Sequence, residues 1–365
     1  MMAGGHPVLM GEPALAHLDR WLARHARGAQ LFVLGDEHTM EHCLPELLAK
    51  VPGLREAHTL LVRSGEHSKD IEICRALWVH LAEHLADRQA VLVNLGGGVI
   101  TDLGGFVAST YKRGIRFIHV PTTVMGMVDA GLGGKTAIDL NGIKNLVGAF
   151  ADPVATYLHT PFLRTLGKRE VLNGVAEMVK HGLVLDAEHW NQVRRAPLHD
   201  LEALEPLIFR SAELKAGVVT QDPHDQGTRK LLNFGHSIGH ALESFALEQQ
   251  QRSLLHGEAI AIGMVCAAWL SWRMELLDRD RMNAMEEHLL SLFPRYKLQQ
   301  ADTHRIIELM RQDKKNTGGS FSFTLLTGIG TARVGVPVTA AQVAEALDHY
   351  RLLNPDAEPS HHSRA

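Results

Sequence analysis

His236 and His240 stand four residues apart, and a third histidine opens the run His256-Gly257-Glu258. Imidazole nitrogens at that spacing suit a divalent metal, because residues four apart share one face of a helix. Asn233 falls one turn earlier on the same predicted face, and Glu177 and Lys180, three apart, share a face of an earlier helix. One carboxylate and two imidazoles held on rigid helices make a three-ligand site that keeps a position open for substrate. The His236-to-His240 spacing is that of a zincin, yet the residues between are Ser237, Ile238 and Gly239. The glutamate of HExxH is absent, which disfavours a metalloprotease. Lys215, Arg229, Lys314 and Lys315 add cations to this half, with Asp222 and Asp225 close to Arg229.

A second chemistry is legible earlier in the chain. Gly96-Gly97-Gly98-Val99-Ile100-Thr101-Asp102 follows a predicted strand and leads into a predicted helix, where glycines let backbone amides approach a pyrophosphate. Asp36, Glu66, Lys69 and Thr122-Thr123 fall at the ends of neighbouring predicted strands, a placement that favours a nucleotide. Gly133-Gly134-Lys135-Thr136 resembles the tail of a phosphate-binding loop. The earlier glycine of GxxxxGK[ST] would fall at Asp129, so a Walker-type NTPase is rejected. The segment from Asp129 through Lys135 to Lys144-Asn145 reads as a polar loop whose lysines meet phosphate or carboxylate oxygens.

Positioning these groups requires two kinds of element. The apolar runs Gln30–Leu34, Thr59–Val62, Ala90–Leu95 and Arg116–Val120 read as buried parallel strands. Between them lies a helical pattern over Ser68–Ala86, with Ser68 as the expected cap. This alternation implies a parallel, helix-flanked sheet with ligands at the carboxyl ends of its strands. After Thr160 the texture becomes helical: Lys168–Leu183, Leu201–Val219, Asn233–Glu248, His256–Leu277 and Arg281–Leu292, followed by a hairpin from Phe321–Leu326 and Ala332–Val338. The expected boundaries are an α/β domain over 1–160, a mainly α-helical domain over 161–353 and a flexible tail over 354–365.

Composition narrows the function classes. With 365 residues, 45% of them apolar and 21% charged, the chain has material for two folded domains and is too apolar for bulk disorder. The 37 Lys and Arg against 41 Asp and Glu supply no basic excess for a polyphosphate backbone, so nucleic acid is not expected as a partner. Cys43, Cys74 and Cys266 are odd in number and widely spaced, which fits a reducing compartment. No run of about 18 apolar residues suggests a membrane span. The protein reads as soluble and cytoplasmic, with no membrane partner.

The stretches GGGVITDLGGF (96–106), YKRG (111–114), VPTT (120–123), VDAGLGGKT (128–136), IKNLVGAF (143–150), GVAEMVKHG (174–182), LLNFGHSIGHALE (231–243), LHGEAIAIGM (255–264) and DKK (313–315) occur in an order that resembles the 3-dehydroquinate synthase family, within the sugar phosphate cyclases. The resemblance runs from about Gln30 to Leu326 and implies a Rossmann-like NAD-binding domain followed by a helical metal- and substrate-binding domain. It places NAD against Asp36, His38, Glu66, Lys69, Gly97, Gly98, Val99, Asp102, Thr122, Thr123, Lys144, Phe162 and Thr165. It makes Glu177, His236 and His256 the ligands of a zinc ion, with cobalt as a possible substitute.

Asp129, Lys180, Lys215, Asp225 and His240 take the catalytic positions in that resemblance, with His240 the proton-transfer group. Lys135, Asn145, Arg229, Asn233 and a lysine of Lys314-Lys315 line the substrate. Arg113 of YKRG implies a homodimer, since in relatives this arginine reaches the neighbouring active site. The implied reaction converts 3-deoxy-D-arabino-heptulosonate 7-phosphate to 3-dehydroquinate and phosphate by transient oxidation, elimination, reduction and intramolecular aldol closure. The chain departs from the family pattern at His38 (usually Asn), Asp225 (usually Glu), Gly131-Leu132 (usually Ser-Val) and Thr228 (usually apolar). The alternatives implied by the same architecture are another sugar phosphate cyclase of secondary metabolism and a metal- and NAD-dependent polyol dehydrogenase.

Overall fold

The computed structural model describes residues 1–141, 143–249, 253–312 and 320–353. Lys314, Lys315 and the expected tail over 354–365 lie outside the described residues. The chain divides into two compact units, Met1–Glu177 with Ala196–Gln226, and Met178–Arg195 with the chain from Gly227 onward. This division does not follow the predicted boundary at 160/161. The helix Leu201–Gln221 joins the first unit, where it packs on the short helix Val124–Val128 and where Thr220 Oγ1 accepts the Gly4 N–H at 3.1 Å. Helical texture reports what an element is and carries no information on which layer it joins.

The first unit is built on a seven-stranded sheet in the order Met2–Ala3, His6–Met10, Thr156–Leu158, Arg116–Pro121, Val91–Gly96, Leu31–Asp36, His58–Val62. All neighbours run parallel except the first pair. The central strands bury both faces, as their unbroken apolar runs require. Phe32, Leu34 and Leu92 enter one core with Cys74, Leu77 and Leu81 of the helix Ile71–Glu83 and with Ile100 and Leu103 of the helix Gly98–Thr110. Val33, Val91, Val93 and Leu95 enter the other with Leu15, Leu18 and Leu22 of the helix Pro13–His25. Each such side chain removed from water contributes about 1.5–3 kcal/mol, so the alternation fixes the register of every strand.

The strand Leu31–Asp36 pairs with His58–Val62 on one side and with Val91–Gly96 on the other. The chain therefore reverses its winding between the carboxyl ends at Asp36 and Gly96, the crevice where open α/β sheets take ligands. In the central strand Arg116–Pro121, His119 is enclosed with its Nδ1 3.2 Å from Asn94 Nδ2. Burial, reinforced by nearby His6, pushes the His119 imidazole down to about 3.

Two local readings are corrected. The helix Ile71–Glu83 is capped by Asp70, whose carboxylate accepts the Glu72 N–H at 2.8 Å, and not by Ser68. Ser68 sits in a separate turn and donates its hydroxyl to Arg63 O. The polar segment around Lys135 is not a loop. It is an antiparallel hairpin, Lys135–Leu140 with Ile143–Phe150, and Thr136 and Ile138 are buried along it. Glycines and lysines masked the alternation of its first strand.

In the second unit the helix His256–Arg273 is buried without interruption from Gly257 to Ser271. A helix apolar all round belongs at the centre of its unit, and this one packs against the helices His236–Glu248, Arg279–Leu292 and Ala340–Leu352 and the hairpin strand Phe321–Gly328. Its crossing with His236–Glu248 is backbone against backbone. A Cβ on Gly263 would fall 1.9 Å from Gly235 O, and one on Gly239 would fall 3.1 Å from Ala259 O. Among the described residues, no helix is long and apolar enough to cross a membrane.

Candidate active site

The glycine crossing lets three imidazoles meet in the second unit. His236 opens one helix, His240 follows one turn later and His256 opens the other. Each offers a ring nitrogen, and these atoms lie within 4.8 Å of one another. His236 Nδ1 is 3.1 Å from Phe234 O, and a carbonyl only accepts, so Nδ1 carries the proton and Nε2 keeps the lone pair. His256 Nδ1 is 3.3 Å from Oε2 of Glu243, a buried carboxylate, which selects the same tautomer. Metal-ligating histidines are oriented in this way, with the outer nitrogen donating to a carbonyl or carboxylate. The donor set therefore fits a divalent ion of the zinc or cobalt kind.

Asn233 does not sit one turn earlier on the His236 helix. It ends a short turn, Thr228–Asn233, and Gly235 at φ +79° separates that turn from the helix. Arg229 lies in the same turn and is 3% exposed, while Lys180, on the helix Lys168–Leu185, is 1% exposed. Glu177, on that helix too, is the last residue of the first unit and is fully buried.

In the first unit the expected dinucleotide residues gather at the carboxyl edge of the sheet. Gly97 precedes the helix Gly98–Thr110; a Cβ on Gly97 would meet Thr123 Cγ2 at 3.0 Å, and one on Gly98 would meet Ala130 Cβ at 3.3 Å. Bare backbone is what a pyrophosphate needs at such a turn. Asp36 caps the helix Glu37–His42 by accepting the Thr39 N–H at 2.9 Å, and His38 is exposed on that helix. Thr122 is buried, and Thr123 caps Val124–Val128 through its hydroxyl. Phe162 is part of the apolar core, whereas Thr165 is exposed.

Lys69 is the hub of this edge. Its Nζ lies 2.9 Å from Asp102 Oδ2, 2.5 Å from Asn145 Oδ1 and 3.5 Å from Glu66 Oε1, and Lys144 Nζ is 3.5 Å from the same Glu66 oxygen. Burial alone would lower the Lys69 ammonium's pKa. Asp102 and Glu66 outweigh it and hold Lys69 above its ordinary value, so it stays charged.

Two further ion pairs of this unit involve expected site residues: Lys215, 6% exposed, with Asp129, and Lys135 with Asp225 at 2.6 Å. Asp225 has φ +57°, and Lys112-Arg113 are consecutive left-handed residues at φ +50° and +69° that leave both side chains exposed. The structure thus brings Lys69, Asp102, Glu66, Lys144 and Asn145 into one network, and His236, His240 and His256 into one cluster. Sequence reasoning missed Glu243 and Asp139. Glu243 was detectable as an acidic residue within the apolar stripe Ala241, Leu242, Phe245 and Ala246.

The 3-dehydroquinate synthase N-terminal family model matches residues 59–173, and the corresponding C-terminal model matches 174–316. The chain belongs to the 3-dehydroquinate synthase family. A 3-dehydroquinate synthase of Parabacteroides distasonis is 40% identical over 327 residues, covering 88% of this chain and 91% of that protein. Among solved structures, a 2-deoxy-scyllo-inosose synthase complexed with carbaglucose-6-phosphate, NAD+ and Co2+ superposes with a TM-score of 0.84 at 26% identity, covering 96% of this chain and 99% of the other. The 2-epi-5-epi-valiolone synthase of Streptomyces hygroscopicus, with NAD+ and Zn2+ bound, gives 0.83 at 25% identity, covering 97% and 99%. The family and the α/β-plus-helical architecture are those that the motifs from Gly96 to Met264 implied.

Proposed function

We propose that this chain converts 3-deoxy-D-arabino-heptulosonate 7-phosphate into 3-dehydroquinate and inorganic phosphate, as a carbon–oxygen lyase of the shikimate pathway acting in the cytoplasm. The observation that carries this reading beyond family membership is the buried cationic charge. Lys180, Lys215 and Arg229 are 1%, 6% and 3% exposed, in a protein that also presents an oriented imidazole cluster. Buried cations are paired with anions; Lys215 is held by Asp129, and the carboxylate and phosphate of this substrate are anions that can exchange into such pairs. A neutral polyol would need none of them.

Bound NAD would supply reversible hydride acceptance, and the metal would supply Lewis acidity toward substrate oxygens. Glu177, His236 and His256 hold the metal in this reading. Asp36, His38, Glu66, Lys69, Gly97, Gly98, Val99, Asp102, Thr122, Thr123, Lys144, Phe162 and Thr165 hold the dinucleotide. Lys135, Asn145, Asn233 and one lysine of Lys314-Lys315 take the phosphate, and Lys215 and Arg229 the carboxylate.

Eliminating phosphate breaks a carbon–oxygen bond and removes a proton from the adjacent carbon. His240, exposed at the edge of the imidazole cluster, is assigned proton transfer on the substrate oxygens in this reading, and the departing phosphate is itself a base. Asp129 and Asp225 hold the ammonium groups of Lys215 and Lys135 until anionic oxygens replace them. The exposed, left-handed Arg113 is assigned to the active site of a second copy in a homodimer.

The test is phosphate release from the heptulosonate phosphate by purified protein with NAD and zinc, with a chelator control and NADH absorbance followed in parallel. Chelator-sensitive release without net NADH supports the reading. Stoichiometric NADH indicates a polyol dehydrogenase instead, and turnover only of heptulose phosphates that lack a carboxylate indicates another sugar phosphate cyclase.

A further inference from the structure

The hairpin Lys135–Leu140/Ile143–Phe150 is not regular. Ile138 stands opposite Val147 and Leu140 opposite Ile143, so the single residue Asp139 faces Lys144, Asn145 and Leu146. Bulges of this kind re-aim side chains and are concentrated beside active sites. Asp139 makes two bonds where the ladder lacks rungs. Its N–H donates to Lys69 O at 2.7 Å, and its Oδ1 accepts the Asn145 N–H at 2.8 Å. Asn145 is thereby held at φ +51°, a left-handed conformation that asparagine tolerates better than most residues. The ring closes where Lys69 Nζ donates to Asn145 Oδ1, while Lys144 next door reaches Glu66.

From this geometry we infer that Asp139 is a positioning residue that couples the two binding functions of the first unit. Through its main chain it ties the hairpin to Lys69, a group assigned to the dinucleotide. Through its carboxylate it aims Asn145, a group assigned to the substrate phosphate. Asp139 itself is assigned a contact with neither the dinucleotide nor the substrate phosphate. The inference rests on the proposed reading of the site, because it needs NAD and a phosphorylated substrate as the two ligands that are coupled.

The experiment compares Asp139→Ala and Asp139→Asn with the wild-type protein in NAD dissociation constant, KM for the heptulosonate phosphate, kcat and thermal midpoint. An amide oxygen accepts the Asn145 N–H as a carboxylate does, so Asp139→Asn keeps both constants near wild type. Asp139→Ala keeps the main-chain bond to Lys69 O but frees Asn145, and with it the Asn145 Oδ1 that holds Lys69 Nζ, so KM and the NAD dissociation constant rise together, each by about tenfold, with a smaller change in kcat. Asp139→Ala with a lowered thermal midpoint but unchanged NAD and substrate constants assigns Asp139 to stability alone and overturns the inference. Asp139→Asn as impaired as Asp139→Ala overturns it as well, since charge and not aim would then matter. A wild-type protein that binds no NAD defeats the underlying functional reading, an outcome separate from a wild type that binds NAD no better than Asp139→Ala does.

Discussion

The charged edge of the first unit and the imidazole cluster of the second solve the same problem of presenting polar groups, in opposite ways. Around Lys69 the groups are already satisfied by one another, ammonium against Asp102, Glu66 and Asn145, on strand ends and a bulged hairpin. A ligand entering there must exchange partners. Around His256 the groups stand on two helices whose crossing admits no Cβ, and the outer nitrogens of His236 and His256 are fixed by Phe234 O and Glu243. An ion entering there meets donors that are already aimed. In the proposed reading, anion recognition trades one charge pair for another, whereas metal recognition rests on preorganisation.

The comparison breaks most visibly at His256. His256→Ala should abolish tight metal binding and turnover together, exceeding the 10–100-fold loss that removal of an outer partner typically causes; metal analysis after dialysis and the phosphate-release assay check it. Lys69→Met should weaken NAD by roughly a hundredfold, as expected for losing charge-assisted hydrogen bonds from a buried ammonium to a partly buried carboxylate, while metal content stays at the wild-type level. Fluorescence titration with NADH reads the first effect and metal analysis the second. Glu243→Gln should lower metal affinity by about tenfold in chelator competition and leave NAD binding unchanged, because the amide holds the His256 ring without the carboxylate's charge.

The smallest effect is on stability in acid. His119 in the folded chain is pushed down to about 3 from an ordinary 6.5. Between those values the unfolded chain takes up a proton that the folded chain refuses, so stability falls as pH drops below about 6.5 and gains nothing from this group above it. The thermal midpoint of the wild type should fall between neutral pH and pH 5 by more than that of His119→Gln.

Much of the site was legible because its chemistry is written in residue types at short range. His236 and His240 announce a shared helix face, Gly96 to Gly98 announce a phosphate turn, and the ordered motifs supply the family. The unbroken apolar runs likewise identified each central strand to within a residue or two. What escaped depends on backbone geometry that no residue type encodes. Asn233 was read as part of a helix that Gly235 in fact starts afresh. The bulge opposite Asp139 requires a register that only the paired strands reveal, and the placement of Leu201–Gln221 with the sheet follows from packing, not periodicity.

The burial of the helix His256–Arg273 on all sides has a consequence in time. Its interior amides, from Gly257 to Ser271, are shielded by every element packed around them, and such segments exchange their hydrogens with solvent only when the whole cooperative unit opens. His256 heads the same helix, one residue before that segment. An ion bound there would be released on its own dissociation clock through the solvent-facing His240 side, without waiting for, or provoking, the fraying of the helix that holds it.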